Sequence, residues 1–304
     1  VHARAQSDVD PKAREATATA MQARAAADTT AKVWTRGGVL QLNMTQVALR
    51  NWAAGGLSSV SGIVQLNAFA NKKKGRHAWD NSVALAFGGL AQEGRNAVKT
   101  DDRLELNSKY GYELKDKWYL AALAQFRTQF TEGFDAATNS QRISNFLAPG
   151  YLVFGLGLDY KPNENFTFFV SPITARLIFV NDEKLFEGLT EGDRVYGVEY
   201  GNTTEMELGG YVRTQYQKEV AKNITFLTRA DFFSNYLRNP QNIDINWETL
   251  FTFKVNNWFA ATLGTLVIYD HDTPVAKFDS EGVPYTGPET QIKQTLGLGV
   301  TLKL

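Results

Sequence analysis

The chain has 304 residues, with 32 Lys+Arg against 32 Asp+Glu, so the formal net charge is zero and the basic excess of a nucleic-acid-binding domain is excluded. There is no cysteine, which removes any disulfide framework and any thiolate metal site. Mean hydropathy is −0.29 and no stretch approaches the ~18 uncharged apolar residues of a membrane helix; a β-barrel, apolar at every second position only, would escape such averages.

Residues 1–32 stand apart. The chain opens Val1-His2-Ala3, which reads as a processed or trimmed form, so the lack of a visible signal peptide says nothing for a cytoplasmic place. The run Ala13 to Ala27 is rich in Ala, Arg and Gln, and Pro11 could open a helix. With no large apolar face, the segment is expected to be a periplasmic tail or short helix; a plug in a barrel is the sharper alternative.

From Trp34 onward, residues 33–304 alternate. Leu40, Leu42 and Met44 interleave with Gln41, Asn43 and Thr45. A turn with Asn51, Trp52, Gly55 and Gly56 follows. Val60, Val64, Leu66 and Ala68 then face away from Ser61, Gln65 and Asn67, and Trp79, Val83, Leu85 and Phe87 away from Asp80, Ser82, Ala84 and Ala86. In the fourth strand Leu104, Leu106, Tyr110 and Tyr112 oppose Arg103, Glu105, Asn107, Lys109 and Glu113. A soluble sandwich would turn that charged face to bulk water; a barrel would turn it to the lumen. After the turn 115–117, Trp118, Leu120 and Phe126 alternate with Gln125 and Arg127. The stretch Ala148 to Tyr160 is the most regular, with Leu152, Phe154, Leu156, Leu158 and Tyr160 on one face. In the next strand, Pro172 predicts a bulge, because proline cannot donate to the ladder.

The later strands repeat the pattern. Met206, Leu208, Val212 and Tyr216 oppose Glu205, Glu207, Tyr211 and Arg213; Phe226 and Phe232 oppose Arg229 and Asp231; Ile245, Trp247 and Phe251 oppose Glu248 and Lys254. The strand from Trp258 is ambiguous, with Phe259, Leu263, Val267 and Tyr269 assigned outward, and the last strand shows Leu296, Leu298, Val300, Leu302 and Leu304 on one face. The expectation is an all-β, transmembrane, antiparallel up-and-down barrel of about twelve strands, each about the length of a tilted membrane strand. Short turns at 72–76, 115–117, 161–165, 219–222 and 255–257 alternate with long connections at 131–147, 181–201 and 271–289, as periplasmic turns and extracellular loops do. Trp34, Trp79, Tyr112, Trp118, Tyr160, Tyr216 and Trp258 fall at strand ends and predict an aromatic girdle.

The run Asn51-Trp52-Ala53-Ala54-Gly55-Gly56, with Lys99-Thr100-Asp101-Asp102, Ser171-Pro172-Ile173-Thr174, Phe232-Phe233-Ser234-Asn235-Tyr236-Leu237 and Tyr269-Asp270-His271-Asp272, resembles an outer-membrane barrel family of Bacteroidota, a domain of unknown function. The resemblance spans about 34 to 304 and implies an outer-membrane location and a barrel fold, without an activity.

Catalytic chemistry finds little support. Of His2, His77 and His271 only the last is placed outward, and no G-x-S-x-G elbow accompanies it. Asp270, Asp272, Asp279 and Glu281, or Asp182, Glu183, Glu187, Glu191 and Asp193, could hold Ca²⁺, but neither set has a calcium-loop spacing, so solvated acidic loops are expected. No cofactor is implied. Arg103, Glu105, Lys109, Glu113, Arg127, Glu205, Glu207, Arg213, Arg229, Asp231, Glu248 and Lys254 are expected in the lumen, where mixed charges pair and fill the bore or, in the alternative, select solutes. The reading is a non-enzymatic barrel of a Gram-negative, Bacteroidota-like outer membrane with both termini periplasmic. It would act as a structural or accessory subunit, touching lipid, lipopolysaccharide and other outer-membrane proteins or lipoproteins, and no nucleic acid. A narrow solute channel is the alternative and a barrel enzyme a distant third.

Overall fold

The computed structural model describes residues 33–50, 57–134, 141–163, 165–256, 259–272, 275–278 and 284–303. The segment 1–32, the turn with Asn51, Trp52, Gly55 and Gly56, and Trp258 therefore lie outside the described residues. The first strands are β1 (Trp34–Val47), β2 (Ser59–Lys74), β3 (His77–Gln92), β4 (Val98–Lys115) and β5 (Trp118–Thr128). A short pair, β6 (Gly133–Phe134) and β7 (Arg142–Ser144), precedes β8 (Gly150–Asn163) and β9 (Phe166–Phe179). A second short pair, β10 (Arg194–Val195) and β11 (Val198–Glu199), precedes β12 (Thr204–Ala221), β13 (Ile224–Asn235), β14 (Ile243–Lys254) and β15 (Phe259–Tyr269). A third, β16 (Val275–Phe278) and β17 (Pro284–Gly287), precedes β18 (Gln291–Lys303).

The twelve long strands close into a barrel in the order β1-β18-β15-β14-β13-β12-β9-β8-β5-β4-β3-β2. Every long strand pairs antiparallel with the next one in the chain, and β1 meets β18 from Val39↔Lys303 to Leu42↔Val300. This is the expected up-and-down topology, and the period of two explains it. Met44 is 70% and Leu296 76% exposed, while the inward residues Gln41 and Gln65 are 4% and 0%. A barrel that shows apolar residues outside and hides polar ones inside is built for a bilayer, the inverse of a water-soluble core. On β15, Leu263 points outward and Thr262 and Leu266 are buried inside, so the outward assignment made from sequence holds.

At one end the strands run to the tips of tight turns. Asp116 and Lys117 both have positive φ (51° and 72°), the two-residue geometry whose twist matches paired strands. Strands therefore reach further than the sequence suggested: β8 continues through Lys161 to Asn163, where a turn was expected at 161–165. The long connections lie at the other end, and three of them carry a short strand pair of their own. Around Pro172 the ladder slips: Leu158 pairs with Val170, but Leu156 pairs with Ile173. Ser171 then faces inward, and after the slip Thr174 does too.

Candidate functional site in the barrel lumen

The inward faces converge on Arg229 of β13. Its guanidinium lies 3.9 Å from Glu105 of β4, 3.2 Å from Glu248 of β14 and 3.6 Å from Asp231 of its own strand. Asn107 donates to Glu105 at 2.9 Å, while Tyr211 donates to Asp231 at 2.8 Å and Arg213 pairs with it. β4 and β13 stand almost opposite each other, with β12, β9, β8 and β5 between them on one side and β14, β15, β18, β1, β2 and β3 on the other. The Arg229–Glu105 pair thus crosses the lumen and divides it.

The four-strand side is filled. Ala121, Leu123, Phe169, Tyr211 and Phe233 pack together. Nearer the short turns Asp159 receives Lys109 at 2.8 Å and Lys161 at 3.0 Å, and Lys161 also reaches Asp80 at 3.1 Å. Each lysine lies by an aromatic face, Lys161 5.0 Å from the Tyr119 ring and Lys109 5.9 Å from the Phe169 ring, so cation–π attraction adds to the ion pairs. Towards the long loops Arg176 pairs with Glu207 and, at 2.8 Å, with Asp244; Arg238 reaches Glu207 at 3.4 Å and Asp272 at 2.7 Å. A cavity of about 120 Å³ remains at this level and spans both sides, lined by Arg127, Tyr151 and Arg176 on one and by Asp244, Asn246 and Asp270 on the other.

The connections of this side form a cap. Ala148, Ile178, Val180, Leu185, Val195, Tyr196 and Val198 make a small apolar core of their own. Asp182 ties the two long loops together, taking Arg142 at 2.9 Å, the Asn145 amide at 2.8 Å and the backbone N–H of Lys184 at 3.1 Å. Burial alone would raise the Asp182 carboxyl, but the bonds from Arg142, Asn145 and Lys184 outweigh it and hold the group below its ordinary value. The hydrogen bond to Asp182 likewise raises the Arg142 guanidinium. The expectation of solvated acidic loops is corrected for Asp182 alone, which is buried and serves as an N-cap and a tie because its loop also carries enough apolar residues to fold; Glu183, Glu187, Glu191 and Asp193 are exposed as expected.

The six-strand side has a different wall. Its inward residues include Ala84 and Ala86 of β3, Gln65 and Asn67 of β2, Gly37, Gln41 and Asn43 of β1, Gly299 of β18, and Thr262, Gly264 and Leu266 of β15. Glycines let neighbouring side chains lie flat on this wall. A Cβ on Gly299 would sit 1.8 Å from Asn43 Oδ1, and one on Gly37 would sit 2.7 Å from the Phe69 ring. The amide atoms of Gln65 and Asn67 are buried without a hydrogen-bond partner. Each such group costs about 1–3 kcal/mol unless something bonds it.

Of the charges picked from sequence, Arg103, Glu105, Lys109, Glu207, Arg213, Arg229, Asp231 and Glu248 meet in the networks above; Arg103 is 4.0 Å from Glu105. Arg127 stacks 5.0 Å from the Tyr151 ring. Glu205 sits at the loop end, between Arg194 and Arg238, while Glu113 and Lys254 lie near the short turns. Of the aromatics expected to form a girdle, Trp34 and Trp79 are 5.8 Å apart and Trp118 stacks on Tyr160 at 4.6 Å; Tyr112 lies 5.1 Å from His77, and Tyr216 pairs with Phe166. Asp80, Asp159, Lys161, Arg176, Asp244 and Arg238 were not among the lumen charges picked. Lys161 continues the Asp159 alternation by one step and could have been found that way. Among the described residues no group of three or more His, Cys, Asp or Glu is arranged to hold a metal ion.

Two family models match parts of the chain: Protein of unknown function (DUF3078) over residues 44–134 and Protein of unknown function, DUF481, over residues 178–282. No curated protein matches it. Among solved structures, the chain is similar to the translocator domain of autotransporter NalP from Neisseria meningitidis (11% identity, 94% of this chain and 97% of that one, TM-score 0.37). It is also similar to an outer membrane channel from Pseudomonas putida F1 (12% identity, 91% and 98%, TM-score 0.42) and to the NanC porin (8% identity, 88% and 100%, TM-score 0.39). At these scores and identities the likeness extends to the barrel fold only.

Proposed function

We propose that this barrel resides in the outer membrane of a Gram-negative, Bacteroidota-like bacterium and acts there without catalysis, as a structural or accessory subunit of a larger envelope assembly. The short turns then face the periplasm and the long loops the outside. The observation that carries the reading is the Arg229–Glu105 pair across the lumen, backed by the packed aromatic side and the folded cap. A bore crossed by paired charges and filled on its four-strand side is poorly suited to carry solutes, which leaves lipid, lipopolysaccharide and the loop surface as the points of contact. His271, the outward histidine, is offered no catalytic role here. A narrow channel is the second reading, favoured by the small-residue wall of the six-strand side. Planar-bilayer recording decides between them: purified protein that inserts and stays silent fits the closed barrel, and stable ion-selective steps make it a channel. Extraction in mild detergent should bring stoichiometric partners; a lone protein would count against the subunit role.

A further inference from the structure

We propose that the outward face of β1 to β4 at the short-turn end binds an anionic phospholipid, with Arg36, Lys72, Lys74 and Arg76 supplying the charge for its headgroup phosphate. Trp34 and Arg36 share the outward face of β1 with Leu42 and Met44, and Lys72 and Lys74 share that of β2 with Val64. Lys72 stands opposite Trp34 on one side and Trp79 on the other, so cations and indoles sit together. The Arg36 guanidinium and the Lys72 ammonium each lie 5.5 Å from the Trp34 ring. Arg76, in the turn between β2 and β3, is fixed 4.7 Å over the Tyr112 ring, its Nε and Nη2 each donating at 2.6 Å to the carbonyls of Glu113 and Leu114.

No charge of opposite sign answers this group. Among the described residues, the outward positions of β1 to β4 in this half hold no Asp or Glu; Asp80, Glu105 and Glu113 lie on the inward faces. An ammonium or guanidinium held by an aromatic face keeps N–H groups for an acceptor from outside, and a phosphate diester brings the paired anionic oxygens that match them. The height fits as well. Indoles mark the boundary between hydrocarbon and headgroups, and cations at that level attract anionic lipid. The rest of the ring differs: from β5 to β18 the outward short-turn positions are mostly aromatic or aliphatic, and Lys218 is the one cation on them among the described residues. Charge gathered on one arc favours a lipid held at one place, where charge spread evenly would only raise the general affinity for a membrane. The inference rests on the membrane residence proposed above and adds the class of lipid and where it sits.

The test places the full chain in vesicles of phosphatidylcholine with a minor share of phosphatidylglycerol, one lipid or the other brominated, and reads the quenching of tryptophan fluorescence. Flotation with the vesicles is read first: protein that does not enter them sinks the membrane residence and this inference with it. In protein that has entered, phosphatidylglycerol should be preferred over phosphatidylcholine by at least ~5-fold, the worth of one cation near a headgroup. The double variant Arg36→Gln, Lys72→Gln should float as before and bring that preference to parity. Arg36→Lys should keep most of it, and Lys218→Gln, on the opposite arc, should leave it whole. Equal quenching by the two lipids in the wild type, or a preference that survives the double variant, overturns this inference and leaves the membrane residence standing. So does inorganic phosphate that abolishes the preference where chloride of equal ionic strength does not, since the face would then take free phosphate rather than lipid.

Discussion

The two sides of the Arg229–Glu105 pair share one backbone rule and differ in everything it carries. Both are antiparallel strands with alternating faces. On the four-strand side the inward positions hold Phe169, Tyr211, Lys109, Asp159 and Arg176, which reach each other and fill the space. On the six-strand side the carboxylates of Asp80 and Asp244 reach across to the other side's cations, while β15, β18, β1, β2 and β3 also present Gly37, Gln41, Gln65, Asn67, Ala84, Ala86, Thr262, Gly264 and Gly299. The four-strand side also owns the folded cap, since the loops 129–149 and 180–203 join β5 to β8 and β9 to β12. Strand number sets how wide a barrel is; the size of inward side chains sets how much of that width is closed.

The largest way to break this division is Arg229→Leu. One guanidinium answers Glu105, Asp231 and Glu248, so its loss leaves buried carboxylates short of a cation. A cost of about 3–5 kcal/mol is expected, seen as a lower denaturant midpoint in lipid or detergent. An unchanged midpoint would mean that the crossing pair does not hold the halves together. Next comes Gly157→Ala on the filled side. A Cβ there would meet the Val170 carbonyl oxygen at 1.9 Å, and backbone at the Pro172 slip cannot move aside as a side-chain tip can. About 3 kcal/mol is expected in the same assay.

The division was half legible in the sequence. Inward and outward faces follow from alternation alone, which needs only residue class, so most of the inward charges could be picked without coordinates. Arg176 could not: the slip at Pro172 changes which positions face in, from Phe169 before it to Thr174 and Arg176 after. Nor could Arg229 be matched with Glu105, because pairing across a lumen depends on how far strands stagger around the ring. The cap was hidden for another reason. Ile178, Val180, Leu185, Val195 and Val198 are scattered among acidic residues with no period, and only their packing joins them.

Asp182→Asn probes whether the cap belongs to the filled side's stability. It loses one of the two carboxylate partners of Arg142, Glu132 being the other, at about 1.5–3 kcal/mol for bonds of this kind. Trypsin should then cut at Arg142 in the folded protein, and equal resistance would argue that the apolar core suffices. The pH sign follows from a carboxyl held below its ordinary value. Its stabilisation is complete above 3.8, the ordinary value, and is lost as pH falls through the folded one. Acid should loosen the wild-type loops and leave the variant, already loosened, little changed.

Gly299→Ala is the smallest change and the most direct comparison with Gly157→Ala, since the same methyl is added to an inward glycine on the opposite side. Here the clash is with Asn43 Oδ1, the end of a flexible side chain that has no hydrogen bond to give up. Asn43 can swing off the wall, so less than about 1 kcal/mol is expected. Asn43→Ala should remove even that, leaving the double variant no less stable than Asn43→Ala alone; this coupling is what a double-mutant cycle reads. A Gly299→Ala cost equal to that of Gly157→Ala would mean that Asn43 is pinned from the lumen side. The six-strand wall would then be packed as tightly as the other, and the contrast between the two sides would lie in the chemistry of what fills them rather than in how full they are.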